Sequence, residues 1–516
     1  MPYDTLNWSS FRRMPESRNL NPLDSGIRRN DGQRVLPYLA KHICLALAIL
    51  LTAPGLAFAS SNGHQDPIAP VILGVTGILF FAILGRFAAR KLGQPSVLGE
   101  LIMGMLLGNI AYFFHFDLIM VLREGSAIFH IVEQAFSNGR PLPEAAAMVL
   151  EGETAARVLY VLQGPYGAQM LQVAQTVDVF SRYGVIFLLF LVGLDTSVAE
   201  MRSVGGTSMR VAVVGVALPF VLGFEAARLL MPELSVNADL FIAATLGATS
   251  VGITARVLKD LGQDRSHEAH VILGAAVMDD IIGLVMLAIV SGIIVSGGVE
   301  FGNVVKIIVL AFVFLGCAFW LGPYFLRYAI GLVSRLDLVE AKMFVSYLFV
   351  MVLAWMANLV GLATIVGAFT AGVILHDAYF RHWGDHTSHR YSIKDLIMPL
   401  EVILVPIFFV LMGIQVKLET FLDLHIIQMA GGLLIAATIG KLACGIVAGR
   451  GINKLAVGIG MLPRGEVGLI FAAIGKSLGV INDALFSSVV LMVIVTTLIA
   501  PPLLKLVLKD KPPESI

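Results

Sequence analysis

The chain has 516 residues, of which 57% are hydrophobic and only 14% charged, with a mean hydropathy of +0.85. Soluble domains carry about a quarter of their residues as charges, so this composition belongs to a polytopic membrane protein. The formal net charge is zero, which excludes the basic field that nucleic-acid binding needs. Three cysteines, Cys44, Cys317 and Cys444, supply no disulfide or metal-thiolate framework.

Residues 1–35 are polar and lack an apolar period. Lys41, the run ICLALAILL, a Pro-Gly break and Ala57-Phe58-Ala59 ahead of Ser60 then form a secretory signal peptide over 36–59, with an A-x-A cleavage site. Signal peptides begin near the initiator. Residues 1–35 are therefore expected to be a non-native or disordered extension, with initiation near Val35. The alternative, an uncleaved first membrane helix, is short against the ~20 residues a span needs.

Roughly thirteen apolar segments of helix length follow. They lie at about 68–90, 95–114, 178–201, 206–230, 237–261, 266–294, 303–327, 339–362, 363–378, 395–420, 425–449, 453–479 and 481–508. Cleavage before Ser60 puts the mature N-terminus outside, and an odd number of spans puts the C-terminus in the cytoplasm. Basic residues agree with that sense. Cytoplasmic turns hold Arg86, Arg90 and Lys91, then Arg256, Lys259 and Arg265, then Arg327, Arg335 and Lys342; outer loops hold only scattered Arg228, Lys306, Lys417 and Lys476. The weak point is the turn near Arg202. Segment 115–177 is a long outer insertion with amphipathic patches such as AARVLYVLQ, expected to form periplasmic helices.

The fifth span contains TLGATSVGITARV and the twelfth GIGMLPRGEVGLI. Both interrupt a membrane segment with Gly, Thr, Ser or Pro, and their odd offset makes them run in opposite directions. Interrupted spans at matching places in two halves mark the binding site of an inverted-repeat transporter. Unwound backbone at that depth survives only where it is buried or lines a cavity.

The sixth span carries the residues with the strongest chemistry. Asp279 and Asp280 are adjacent inside VILGAAVMDDIIGLVMLAIV. A mid-bilayer charge costs several kcal/mol, so such a pair marks a proton relay or a cation site. Consecutive helical residues point about 100° apart, so the two cannot share one partner. Lys441, inside LLIAATIGKLACGIV, is the counter-ion candidate for one of them, with snorkelling as the alternative. Thr249 and Ser250 sit at the fifth-span break, where hydroxyls and freed carbonyls suit a hard cation, or else bond back to their own helix. Arg464 and Glu466 follow Pro463 at the other break, where a buried pair would brace the crossing. His376, His382, His386 and His389 cluster in a cytoplasmic loop, read as solvated, with a pH sensor as the other reading. No nucleophile–base pair, phosphate loop or metal-ligand spacing points to an enzyme, to a cofactor, or to a metal beyond transported Na+.

These motifs resemble the bacterial sodium/proton antiporters of the second monovalent cation:proton antiporter family. The resemblance runs over roughly 68–508 and rests on QPSVLGELIMGMLLGN, GATSVGITARVL, AAVMDDIIGL, PIFFVLMGIQV, Gly440-Lys441 and GMLPRGEVGLIFA. It implies an all-α fold of about thirteen membrane helices in two inverted repeats with crossing broken helices. A core transport bundle (spans four to six and eleven to thirteen) would sit beside a dimerisation domain, usually in a homodimer within the lipid of the bacterial inner membrane. It implies that Asp280 carries the exchanged ion, that Asp279 pairs with Lys441, and that this Asp-Asp type is electrogenic. The insertion at 115–177 departs from the compact family pattern.

The expected activity is exchange of Na+ or Li+ for H+ by alternating access, because a proton and a cation exclude each other at one carboxylate. K+/H+ exchange, as in potassium efflux systems, is the alternative. Those systems commonly carry a different residue before the key aspartate. A channel or a receptor that kept the fold is the reading from another class.

Overall fold

The computed structural model describes residues 66 and 68–508, apart from 138, 151, 196–204, 250–253, 255–257, 259–262, 264–265, 296–300, 334–337, 376, 381–391 and 465. The extension 1–35, the signal peptide 36–59, Ser250 and the four loop histidines lie outside the described residues, as does the side chain of Glu466.

The described residues form eighteen α-helices. In chain order they are α1 Ala69–Lys91, α2 Ser96–Phe113, α3 Asp117–Glu124, α4 Ser126–Ser137, α5 Leu142–Val149, α6 Gly152–Gln163, α7 Gly167–Asp195, α8 Gly206–Leu230 and α9 Val236–Gly247. Then follow α10 His267–Val295, α11 Phe301–Leu332, α12 Leu338–Leu359, α13 Thr364–Ile374, α14 Ile393–Ile414, α15 Leu424–Cys444, α16 Lys454–Gly460, α17 Glu466–Ser477 and α18 Asp483–Leu508. Ten of them are long and apolar enough to cross a membrane: α1, α2, α7, α8, α10, α11, α12, α14, α15 and α18.

The three remaining apolar segments of the sequence are built from short helices. In the fifth, α9 stops at Gly247, and Ala248 is extended (φ −63°, ψ 144°). In the twelfth, α16 ends at Gly460 and α17 resumes at Glu466. In the ninth, Gly361 takes a left-handed φ of 81° and Ala363 is extended, so α13 is eleven residues long and shorter than the 363–378 segment read from the sequence. The insertion forms α3 to α6, and α7 starts at Gly167, well ahead of the expected position 178.

The helices sort into two bundles. α1, α2, α7, α12, α13 and α14 pack on one another as a scaffold; α8, α9, α10, α15, α16, α17 and α18 form the core. α11 packs on α10, α12 and α13, between the two. From the insertion, α3 packs on α2, α7 and α14, while α4 reaches α17. The scaffold seams are backbone to backbone. A Cβ at Gly104 would come 2.2 Å from the Val410 carbonyl oxygen, one at Gly413 2.2 Å from that of Leu101, and one at Gly372 2.2 Å from that of Phe190. Small residues allow this approach, and close packing is what holds helices together in lipid. Local signals set the ends: Ser392 and Asp395 form a reciprocal capping box at the start of α14.

Candidate functional site

α10 passes through the middle of the core, and its apolar sequence leaves Asp279 and Asp280 in a dry environment. Asp279 is 0% exposed and Asp280 7%. Lys441 of α15, itself fully buried, places Nζ 3.2 Å from Asp279 Oδ2 and 3.4 Å from Oδ1. The same ammonium donates to the Gly247 carbonyl at 2.7 Å. That carbonyl is available because α9 ends there, and a helix end leaves its last carbonyls without helical partners. Asp280 is turned about 100° around the helix from Asp279. The next residues along α10, Ile281 and Leu284, line a small apolar pocket of about 70 Å³ with Phe319 of α11 and Phe369 and Thr370 of α13. α10 is therefore the core helix that faces α11 and the scaffold.

The two breaks cross beside this pair, and each satisfies the other. Thr249 Oγ1 donates to the Met461 carbonyl at 3.4 Å, and Thr254 Oγ1 to the Gly460 carbonyl at 2.7 Å. In return Arg464 Nη1 donates to the carbonyls of Thr245 and Ala248 at 3.3 and 3.2 Å. Thr497 of α18 donates to the Arg464 carbonyl at 2.6 Å. All four side chains are buried. Unwound backbone in lipid must be satisfied by protein, and here threonines and an arginine do it. Arg464 thus braces the crossing through main-chain oxygens. Thr254 and Thr497 do the same work, although sequence reading did not single them out; Thr254 stood inside the fifth-span motif, whereas nothing local marks Thr497.

A larger cavity, about 470 Å³, lies between scaffold and core at one end of the helices. Asp178 and Arg182 of α7, Asn358 of α12, Gln415 after α14 and Lys476 of α17 line it. Arg182 and Asp178 form an ion pair of 2.7 Å.

The family model for the transmembrane sodium/hydrogen exchangers matches residues 152–510. The chain belongs to the sodium/hydrogen exchanger family. Among the relatives of this exchanger is the High-affinity Na(+)/H(+) antiporter NhaS3 of Synechocystis sp., 32% identical over 461 residues, covering 87% of this chain and 92% of that protein. The Na(+)/H(+)-K(+) antiporter GerN of Bacillus cereus is 31% identical over 355 residues, covering 67% of this chain and 87% of that one. The fold is that of the sodium proton antiporter MjNhaP1 from Methanocaldococcus jannaschii, with a TM-score of 0.54 at 16% identity over 86% of this chain and 99% of that one. The exchanger is accordingly an all-helical, multi-pass membrane protein of the antiporter fold, in agreement with the resemblance read from its motifs.

Proposed function

We propose that this exchanger moves Na+, or Li+, against H+ across the bacterial cytoplasmic membrane by alternating access, with Asp280 as the carboxylate that holds either ion. The observation that carries the reading is the fully buried Asp279–Lys441 pair, 3.2 Å apart, next to Asp280 and at the crossing of two broken segments. Two ligands that exclude each other at a site opened alternately to each side must exchange. Thr249, Ser250 and the carbonyls of the break supply further oxygens for a hard cation. If the incoming cation also draws Asp279 from Lys441, the lysine gives up a proton in its apolar surroundings. Two protons then cross per Na+, one net charge moves, and the membrane potential contributes about 2.3 kcal/mol per 100 mV. Arg464 and Glu466 stiffen the crossing. The core slides against the scaffold, and the 470 Å³ cavity is the vestibule of the outward side.

In this reading the exchanger domain spans 68–508, with 115–177 as a periplasmic insertion and 36–59 removed as a signal peptide. The mature N-terminus is outside and the C-terminus inside. Two copies pair through the scaffold. Membrane lipid surrounds them, and no cofactor takes part in the exchange. K+ is the second cation to test, because GerN, of similar identity, is named for K+ as well as Na+.

The test is reconstitution into liposomes holding a pH dye, an imposed proton gradient, and addition of Na+, Li+ or K+. Cation-driven proton efflux that drops at least about 100-fold in Asp280→Asn is expected, as for loss of the group that carries the ion. Unchanged exchange in that variant removes Asp280 from the mechanism, and silence of the folded parent protein with every cation removes exchange itself.

A further inference from the structure

Four charged residues outside the ion site form a chain across the boundary between scaffold and core. Lys417 follows α14 and its Nζ lies 2.8 Å from Glu124 Oε2, at the end of insertion helix α3. The same Nζ lies 2.7 Å from Asp483 Oδ2, at the start of core helix α18. Asp483 Oδ1 in turn lies 2.8 Å from Lys476 Nζ, near the end of core helix α17. The side chains of Glu124, Lys417 and Lys476 are 5%, 11% and 8% exposed, so both lysines and the glutamate are shielded from water, while Asp483 between them is 31% exposed.

Each end is fixed to its own bundle. The connection around Lys417 is held to the scaffold by Asn109 of α2, whose Nδ2 donates to the Val416 carbonyl at 2.9 Å and whose Oδ1 accepts from the Leu418 N–H at 3.1 Å. Arg123, beside Glu124, donates to Asn109 Oδ1 at 2.9 Å, pairs with Glu419 and stacks 4.0 Å from the Tyr112 ring. On the other side, Asp483 and Lys476 belong to helices that pack together in the core. The polar contacts from Lys417 to the core are its ion pair with Asp483 and a hydrogen bond from its N–H to Ser487 Oγ, 3.0 Å. Beside them the Leu418–Leu422 turn packs on α15 and α18, and His130 of α4 lies 3.4 Å from the Ser477 carbonyl. Lys476 also lines the large cavity between the bundles.

We propose that Glu124, Lys417, Asp483 and Lys476 form a releasable latch that holds scaffold and core together at the outer end. The charges divide evenly. If the bundles separate here, Lys417 keeps Glu124 within the scaffold and Asp483 keeps Lys476 within the core. Stranding a buried charge is the expensive event in breaking an ion pair, and this arrangement strands none. Asp483 is the shared anion, so competition between the two lysines sets how firmly the latch is closed. The insertion contributes Glu124 and thereby tunes the balance between the two access states. The inference rests on the sliding of core against scaffold proposed above.

The test reads a distance across the boundary. Asn358→Cys on the scaffold and Leu478→Cys on the core both lie at exposed positions on the cavity wall. They are spin-labelled, with Cys44 and the exposed Cys317 replaced by Ser and the buried Cys444 retained, and measured by double electron–electron resonance with and without Na+. Glu124→Gln with Lys417→Gln removes the scaffold half of the latch as a neutral pair. It is expected to shift the ratio of separated to closed distances by about fivefold, as for loss of one partly exposed ion pair. The swap Glu124→Lys with Lys417→Glu keeps the scaffold pair but sets two carboxylates against each other at Asp483, and it is expected to open the boundary further. If Na+ shifts the distances while both variants behave as the parent, the latch is refuted and the sliding stands. If neither Na+ nor any variant moves them, both are refuted.

Discussion

The shortest hydrogen bond of Lys441, 2.7 Å, runs to the main-chain carbonyl of Gly247 and not to a carboxylate. The ammonium is thereby anchored on the last residue of α9 independently of Asp279. In the exchange proposed above, a cation that competes for Asp279 leaves the lysine with a partner and in place. A lysine held by the carboxylate alone would have to swing away or be left without an acceptor.

Lys441→Gln is expected to lower stability by roughly 3 kcal/mol, because it leaves Asp279 as a buried anion without its counter-charge. Adding Asp279→Asn is expected to restore stability to within about 1 kcal/mol of the parent, since a matched neutral pair costs little. Thermal unfolding of the single and double variants in detergent checks this. Equal melting temperatures for the two would mean that the pair is not coupled.

The same double variant separates charge movement from exchange. With Asp280 intact, exchange is expected to persist but to lose its response to voltage. In the parent, clamping 60 mV is expected to move the equilibrium Na+ gradient about tenfold, the equivalent of roughly 1.4 kcal/mol for one charge. In the double variant the same clamp should leave the gradient where it was. Liposomes with a potassium-diffusion potential give the comparison directly, and a parent that ignores voltage contradicts the two-proton scheme.

Thr254→Val is expected to cost about 1–2 kcal/mol, because it leaves the Gly460 carbonyl buried at the break without its donor. Thr249→Val is expected to cost less than half as much, since its bond to Met461 is long at 3.4 Å. Melting temperatures rank the two, and a Thr249 variant that loses more than the Thr254 variant would mean that another role of Thr249 dominates.

The charges in apolar runs were legible in the sequence because each is a local anomaly. Asp279, Asp280, Lys441 and Arg464 all stand out against a dozen aliphatic neighbours, and the glycines near Thr249 and Pro463 mark the breaks. The chain Glu124–Lys417–Asp483–Lys476 was not legible. Lys417 and Lys476 read as scattered outer-loop charges, and only the fold brings Glu124 to Lys417 across 293 positions. The early start of α7 was hidden by the polar residues Gln169, Gln172 and Gln175, which suggest a loop. They lie instead on the first turns of α7, where Gln172 and Gln175 are exposed and Met170, Val173 and Ala174 beside them are buried. The shortness of α13 depends on the left-handed turn at Gly361, which an apolar count does not register.

The glycine seams of the scaffold carry a mechanical consequence. Where carbonyl oxygens would stand 2.2 Å from an added methyl, there is no slack to compress and no side chain to rotate out of the way. Strain applied to α2, α7, α13 or α14 is passed along the seam with little loss. The scaffold therefore has almost no compliance of its own, and in the sliding proposed above the work done by the ion gradients is delivered to its boundary with the core, as a load is to a bearing.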